Sequence, residues 1–251
     1  MFSLCIPTME RFDSFLKTSL IEYVKYDLID EIIITDETGN DAVKIAEFFK
    51  NEPKIKVFKN ESRLGPFLNK LCCTRKAKNE WIVLMDSDNF ANEEYFKKAK
   101  EYIDKNVGKD VKNIIVAPSK AKPLFNYSHL SGFVYKNGSF QQNNIKEKEI
   151  LSKTKDYTNS QVLMNTGNYV INKYLIDNIN LDNEKDNIKM SSACDVIYFN
   201  TLLFEKLDLN MHVAPLLEYD HRVHSGSIYT QTCNHYAQFN RNVHNRYFQL
   251  K

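Results

Sequence analysis

The stretch Trp81-Ile82-Val83-Leu84-Met85-Asp86-Ser87-Asp88-Asn89 decides the fold class of this chain. Its first five residues are apolar, and three of them are aromatic or β-branched, which indicates a strand buried on both faces. Two carboxylates, Asp86 and Asp88, follow, and an extended backbone would turn both side chains to one face. Paired carboxylates at the end of such a strand suit Mg²⁺ or Mn²⁺. The alternative is an acidic turn that caps the helix predicted from Asn92 onward.

Three further strands are predicted before this one, at the spacing of a repeated strand–helix unit. They lie at residues 2–6, 31–35 and 54–58, with helical apolar stripes between them. Right-handed crossovers would join the four strands into a parallel sheet with helices on both faces. Their carboxyl ends would then form one edge and a nucleotide-sized crevice. The residues predicted at that edge are Pro7, Thr8, Asp36, Asn60 to Arg63, Asp86 and Asp88.

Composition and simple motifs exclude several classes of protein. The 251 residues are 43% hydrophobic with a net charge of +2, and the charges are interspersed, which argues against nucleic-acid binding. No apolar run is long enough to span a membrane, and Pro7 interrupts the apolar start, so we expect no signal peptide. Five Cys without a Cys-x-x-Cys pair argue against disulfides and zinc, which fits the cytoplasm. The 7 Gly form neither a dinucleotide-binding motif nor a P-loop.

The second half of the chain is predicted to complete the sheet less regularly. Strands are expected at residues 113–118, 166–171 and 211–214, and helices at 92–105 and 195–207. Residues 119–160 are polar and weakly patterned, which predicts a loop-rich insertion over the crevice.

The C-terminal tail is basic. No acidic residue follows Asp220, and the tail holds four of the six His. A helical apolar stripe runs through Tyr236, Phe239, Val243, Tyr247 and Leu250. One interpretation is an amphipathic helix packed on the domain with its basic face in solvent. The other is attraction to substrate phosphates or to an anionic membrane surface, which would make the protein peripheral there.

Taken together, several segments resemble the GT-A glycosyltransferases, especially the large inverting family 2. The resemblance covers roughly residues 2–90 and resumes in three later segments. The segments that carry it are Cys5 to Thr8, Ile32 to Asp36, Asn60 to Asn69, Leu84 to Asp88, Asn165 to Ile171, Ala193 to Asp195, and Tyr219 to Ser227. An Asp-x-Asp is a short pattern. Its position after the fourth buried strand and before Arg-x-His-x-Gly-Ser makes it specific.

The resemblance implies one α/β domain over residues 1–251, with a GT-A, Rossmann-like fold and a mostly parallel central sheet flanked by helices. Residues 1–118 would form the nucleotide-sugar-binding half, and residues 161–230 the acceptor and catalytic half. The insertion at 119–160 lies between them, and residues 231–251 would form the amphipathic C-terminal helix.

On the donor side, the resemblance implies that Pro7 and Thr8 line the base, that Asp36 accepts a hydrogen bond from uracil, and that Arg63 contacts the base or phosphate. Asp88 would ligate Mn²⁺ or Mg²⁺ bridging the diphosphate, and Asp86 would hold the ribose or a metal-bound water. The residues implied to bind the metal or the nucleotide sugar in this part of the site are Asp86, Ser87, Asp88, Arg222 and His224, with His221 as the alternative to His224.

On the acceptor side, Asp195 occupies the place of the family's catalytic base. Its other interpretation is a helix cap, which is common for Asp at a helix start. The family often has an acidic residue just before the base, where this chain has Cys194. Chemistry supports the scheme, because a divalent cation neutralises a diphosphate leaving group and inversion needs a base for the acceptor hydroxyl.

The resemblance therefore implies metal-dependent transfer of a sugar from a nucleoside-diphosphate donor, first of all a UDP-sugar, to a carbohydrate or glycolipid acceptor, with inversion. A retaining GT-A enzyme is an alternative if Asp195 is only a cap. A sugar-phosphate nucleotidyltransferase is another, although no Gly-rich loop follows the first strand. The last alternative is an inactive nucleotide- or glycan-binding module.

Overall fold

The computed structural model describes residues 1–136, 144–153, 155–191, 194–227, 234 and 237–249. The strands are β1 (Phe2–Thr8), β2 (Ile29–Asp36), β3 (Ile55–Lys59), β4 (Trp81–Leu84), β5 (Ile114–Lys122), β6 (Phe125–Asn126), β7 (Val134–Tyr135), β8 (Tyr169–Asn172) and β9 (Asn210–Asp220). The α-helices are α1 (Lys17–Tyr23), α2 (Asn40–Phe48), α3 (Pro66–Arg75), α4 (Glu93–Asn106), α5 (Asn144–Lys153), α6 (Ser160–Leu163), α7 (Lys173–Asn178), α8 (Lys185–Met190), α9 (Asp195–Leu207) and α10 (Ala237–Gln249). A π-helical turn, Phe12–Leu16, precedes α1.

The strands form one nine-stranded sheet in the order β3-β2-β1-β4-β8-β5-β9-β7, with β6 paired to β5. The first four are parallel, as the strand–helix spacing predicts. Beyond β4 the sheet is mixed, because β8 runs antiparallel to both β4 and β5 while β5 and β9 are parallel. The amino end of β8 therefore lies at the edge where β1, β2 and β4 end.

Helices cover both faces of the sheet, which explains the unbroken apolar runs of its central strands. Ile33 faces a core cluster that includes Leu71 of α3 and Leu202 of α9. Its neighbours on β2 face the opposite cluster, which is formed with α1, α2 and α4. The predicted α/β architecture with a helix layer on each side is confirmed.

Two strands are longer than predicted. Strand β5 continues to Lys122, so residues 119–122 belong to the sheet and not to a loop, and β9 runs from Asn210 to Asp220 instead of ending at 214. The two strands pair in parallel, and the Glu218 carboxylate lies 3.1 Å from the Lys120 ammonium. Cross-strand backbone bonds and ion pairs sustain these polar segments, although their sequence lacks an apolar strand pattern.

The rest of the insertion is loop-rich, but its described parts contain short elements that are fastened to one another. The buried Glu147 of α5 accepts hydrogen bonds of 2.6 Å from both the backbone N–H and the hydroxyl of Ser160, the first residue of α6. Residues 137–143 and 154 lie outside the described residues.

The tail forms helix α10, which packs against α9. Val243 is buried, the Phe239 ring lies 5.7 Å from that of Tyr198, and the Arg246 guanidinium donates to the Glu205 carboxylate at 2.8 Å. These contacts favour the interpretation of the tail as an amphipathic helix packed on the domain. Tyr236 and Leu250, also predicted to belong to its apolar stripe, lie outside the described residues. None of the helices in the described ranges is long and apolar enough to cross a membrane. Attraction of the basic tail to a membrane surface stays a prediction.

Replacing Ile33 with Ala should lower the free energy of unfolding by about 2–5 kcal/mol, because it opens a cavity in a fully buried central strand. Urea denaturation followed by circular dichroism measures the loss. The matched control is Val43→Ala on α2, where the side chain is 67% exposed and the change should stay within about 0.5 kcal/mol. Equal losses in the two variants would contradict the proposed core.

Candidate functional site

A cavity of about 910 Å³ opens at the edge of the sheet where β1, β2 and β4 end. This volume is within the range of small-molecule sites. Its walls come from the loops after β1 and β2, the turn after β4, the residues before β8, the start of α9 and the segment after β9. The predicted site residues that line it are Pro7, Thr8, Arg63, Asp86, Ser87, Asp88, Asp195, His221 and Arg222.

The acidic stretch after β4 is a turn and not a continuation of the strand. Strand β4 ends at Leu84, and the Asn89 N–H donates to the Asp86 carbonyl at 3.0 Å. The prediction that an extended backbone aligns the two carboxylates was therefore wrong. Both Asp86 and Asp88 line the cavity, but they engage different partners.

Asp86 belongs to an ion-pair bridge with Lys70 and Asp195. The Lys70 ammonium, on α3, lies 3.0 Å from the Asp86 carboxylate and 2.8 Å from that of Asp195 at the start of α9. Asn168 fixes the other side of Asp86, because its amide donates to the carboxylate at 3.1 Å and accepts the Asp86 N–H at 2.6 Å. One lysine thus joins a donor-side and an acceptor-side carboxylate.

The bridge sets the protonation behaviour of its members. Burial raises the pKa of Asp195 above its ordinary value, and the Lys70 charge offsets this only in part. Burial also acts on Asp86, but the Lys70 charge and the Asn168 amide outweigh it and hold that pKa below its ordinary value. Desolvation opposes the charge on Lys70, yet the two carboxylates raise its pKa and keep it cationic.

Sequence reasoning missed Lys70, although a signal was present. Lys70 follows Phe67 by three residues and precedes Thr74 by four, so it lies on the inner face of α3 with two buried side chains. A lysine on the buried face of a helix needs a carboxylate partner. Which carboxylates it meets depends on α9, more than one hundred residues away.

Asp88 pairs with His224, as the resemblance implies. The His224 Nε2 lies 2.9 Å from the Asp88 Oδ2, and the imidazole packs 4.8 Å from the Phe15 ring. The two side chains keep 21% and 20% of their surface exposed. The Asp88 carboxylate suits Mg²⁺ or Mn²⁺, and the His224 imidazole is a ligand of first-row transition ions, so of the two implied ions the pair fits Mn²⁺ better. In the described ranges no three His, Cys, Asp or Glu converge, so a cation here would also need oxygens from water or substrate.

The segment from residue 221 to 227, which carries His224, is tied down from two sides. The Arg222 N–H donates to the Asn89 side chain at 2.9 Å, and the Arg11 guanidinium donates to the Gly226 carbonyl. His221 lines the cavity instead of reaching Asp88, and burial lowers its pKa. Of the two His considered for the metal, His224 is the one in contact with Asp88, and which of them would bind a cation stays a prediction.

Asp36 does not line the cavity, so the structure does not place it at the predicted binding site for the uracil base. Asp36 is fully buried, and its carboxylate accepts the N–H groups of Thr38 at 3.1 Å and Ala42 at 2.8 Å, which ties it to the start of α2. Its neighbour Glu37 lines the cavity instead. Successive side chains at a strand end point to opposite sides, so only one of two adjacent acids can face the crevice.

Glu37 has the features of a ligand-binding side chain. It is 8% exposed, one carboxylate oxygen accepts the Leu64 N–H at 2.7 Å, and the other is buried without a hydrogen-bond partner. Burial raises its pKa. A buried oxygen without a partner at a cavity wall is the expected state of an acceptor whose donor arrives with a ligand. The adjacent acids Asp36 and Glu37 were visible in the sequence, but not which of them turns inward.

Comparison with known proteins identifies a family, and solved structures with a similar fold. The sequence model described as Glycosyl transferase family 2 matches residues 3–167. The S. aureus TarS 1–349 structure in complex with UDP-GlcNAc is 16% identical, with a TM-score of 0.61 over 100% of this chain and 73% of that one. The S. aureus TarS structure is also 16% identical, with a TM-score of 0.58 over 100% of this chain and 44% of that one. No curated protein matches the sequence significantly. The structural likeness identifies the GT-A fold.

Replacing Lys70 with Met should destabilise the protein by up to about 3–5 kcal/mol near neutral pH, because two neighbouring carboxylates lose the cation between them. The pKa of Asp195 should rise further, so the folded state binds its proton more tightly. The loss should therefore narrow as the pH falls through that pKa. Thermal melting at several pH values measures it. Lys70→Arg, which keeps the charge, is the control, and a loss independent of pH would contradict the bridge.

Proposed function

Because the chain belongs to glycosyl transferase family 2, we propose that it transfers a sugar from a UDP-linked donor to a carbohydrate or glycolipid acceptor, with inversion and with the help of Mn²⁺ or Mg²⁺. The observation that carries the proposal is that Asp88, which contacts His224, and Asp195 line one cavity, with Lys70 between the two halves. Solved TarS structures in complex with UDP and UDP-GlcNAc support a UDP-sugar as the donor.

The nucleotide would bind at the end of the cavity formed by Pro7, Thr8, Glu37 and Arg63. We assign to Glu37 the uracil contact that the resemblance implied for Asp36, because Glu37 has a buried oxygen without a partner. Uracil carries one ring N–H donor, which suits a carboxylate acceptor. Arg63 is exposed beside Glu37 and can reach the base or a phosphate.

The diphosphate would lie between Asp88, His224 and Arg222. A bound Mn²⁺ or Mg²⁺ would neutralise negative charge on the leaving group. Asp88 and His224 would hold the ion, and Asp86, together with Ser87, would orient the ribose or a metal-bound water. The Arg222 guanidinium supplies a further positive charge at this wall and lies 5.8 Å from the Phe15 ring.

Asp195 would act as the base. One of its oxygens accepts a hydrogen bond from Lys70, which orients the carboxylate at the start of α9. The proton of the acceptor hydroxyl would pass to Asp195 as the hydroxyl oxygen bonds to the anomeric carbon. The bond to the diphosphate breaks on the opposite side, which inverts the configuration. The raised pKa of Asp195 makes it a stronger base than an exposed carboxylate.

A panel of nucleotide sugars tests the proposal. Release of UDP from at least one UDP-sugar is expected with Mn²⁺, and EDTA or Asp88→Asn should reduce it by about 10²-fold or more because the leaving group loses its neutralising charge. The control is Asp104→Asn, an exposed carboxylate on α4. Undiminished release in Asp88→Asn or with EDTA would contradict the metal site.

The same assay separates the alternatives. A retaining enzyme would give the product anomer that matches the donor. Release of pyrophosphate from a nucleoside triphosphate and a sugar phosphate would indicate a nucleotidyltransferase. Binding of UDP without turnover of any donor would indicate an inactive module.

Replacing Asp195 with Asn should lower the transfer rate by about 10²- to 10⁴-fold with a much smaller change in the Kd for UDP, because the proton acceptor is lost while the Lys70–Asp86 ion pair on the donor side remains. In the unsubstituted protein, kcat/KM should fall on the acid side of its pH profile. The midpoint of this fall should lie above about pH 3.9, the pKa of an ordinary Asp, because burial raises the pKa of Asp195. Below that pKa the carboxyl is protonated and cannot act as a base. Asp182→Asn, at an exposed position, is the control. Full activity in Asp195→Asn would reject this role.

A further inference from the structure

We infer that the acceptor is an uncharged carbohydrate, which the protein recognises through hydroxyl groups and not through a phosphate or carboxylate. The inference rests on the proposed function and concerns the part of the cavity that lies beyond Asp195. This part is called the acceptor wall and comprises Asn159, Gln161, Val162, Asn165, Val196 and Asn240.

Among the described residues, the Arg side chains that line the cavity belong to its donor side, and Lys70 lies between the two halves. The described Arg and Lys side chains that line it are Arg11, Arg63, Lys70 and Arg222. The Arg11 guanidinium donates a hydrogen bond to the Gly226 carbonyl. The Arg222 backbone N–H donates to the side chain of Asn89, in the turn after β4 on the donor side. Lys70 and Val196 of the acceptor wall border one small cavity, but two carboxylates already neutralise Lys70. An anionic acceptor would therefore meet no uncompensated cation among the described residues of that wall.

The polar groups of the acceptor wall are neutral amides. Gln161, Asn165 and Asn240 each offer a carbonyl oxygen and an NH₂ group, and Asn159 offers its NH₂ group because its oxygen accepts the Gln161 N–H. A sugar hydroxyl also both donates and accepts, so an amide can satisfy it in either sense. A phosphate or an ionised carboxylate only accepts, and its usual partners are Arg and Lys. Asp195, the charged group beside this wall, would also repel an anion.

Two valines give the acceptor wall apolar surface that matches the apolar part of a sugar ring. Val162 is 36% exposed, and Val196 lines the cavity next to Asp195. Apolar side chains between a few polar groups are typical of small-molecule sites. Here they would pack against the C–H groups of a sugar ring while the amides bind its hydroxyls.

The acceptor wall is built by the residues in and around α6, with Val196 of α9 and Asn240 of α10, and it is held in place before any ligand binds. The Asn159 side chain accepts the Gln161 N–H at 2.8 Å, and Glu147 holds Ser160 between them. Asn240 is carried by α10, which the Arg246–Glu205 ion pair fastens to α9. Prior fixation of this kind reduces the entropy lost when a ligand binds.

The experiment uses the UDP-sugar that gives the fastest UDP release and compares matched acceptors. p-Nitrophenyl β-glucoside and p-nitrophenyl β-glucuronide differ only at C6, where a carboxylate replaces CH₂OH. Neutral p-nitrophenyl glycosides of galactose, mannose, N-acetylglucosamine and rhamnose extend the panel. At least one neutral glycoside should stimulate UDP release about tenfold or more over the glucuronide and over glucose 6-phosphate. Stimulation by the anionic acceptors alone, or by no neutral member, would overturn the inference.

Variants of the acceptor wall give an independent measurement. Asn240→Ala and Gln161→Ala should each raise the KM for the stimulating glycoside about three- to tenfold, as expected for one lost hydrogen bond. The KM for the donor, measured by UDP release without acceptor, should not change. Gln238→Ala, an exposed position on the same helix as Asn240, is the matched control. An unchanged acceptor KM in both wall variants, with folding verified by circular dichroism, would overturn the inference.

The measurements distinguish failure of the proposed function from failure of the neutral-acceptor inference. If no UDP-sugar is hydrolysed or transferred and UDP does not bind, the proposed function fails. If donor hydrolysis persists while neutral acceptors have no effect, the proposed function stands and the neutral acceptor is rejected.

Discussion

The ion-pair bridge of Lys70 with Asp86 and Asp195 is the interaction on which the site depends. A lysine withdrawn from water on the inner face of α3 needs compensating negative charge, and two carboxylates supply it at 3.0 and 2.8 Å. One comes from the turn after β4 and the other from the start of α9, more than one hundred residues later in the chain. The bridge therefore fixes the distance between the halves of the cavity and couples the ionisation of the two acids.

The reversal of strand direction at β8 makes this arrangement possible. Because β8 is antiparallel to β4, the residues just before it lie at the same edge as the carboxyl end of β4. Asn168 thereby reaches Asp86 through two hydrogen bonds. Gly167 lets α9 approach closely, since a Cβ there would lie 2.7 Å from the Val196 side chain. An all-parallel sheet would place these residues at the opposite edge.

The division of charge within the cavity follows the division of the chain. The strand ends of the first half and the segment after β9 carry the charged side chains, which suit a nucleotide, a diphosphate and a cation. Residues 159–165, Val196 of α9 and Asn240 of the C-terminal helix contribute amides and apolar side chains. Segments from the second half of the chain thus form the acceptor wall, which carries no described Arg or Lys.

The sequence by itself determined the four parallel strands and the edge at which they end. Continuous apolar runs and strand–helix spacing are local properties, and the chain records them directly. Only the tertiary structure decided that Glu37 and not Asp36 faces the cavity, that the acidic stretch turns after Leu84, and that Lys70 lies between two acids. These features depend on strand direction, side-chain orientation and contacts between distant segments, which no single stretch of sequence contains.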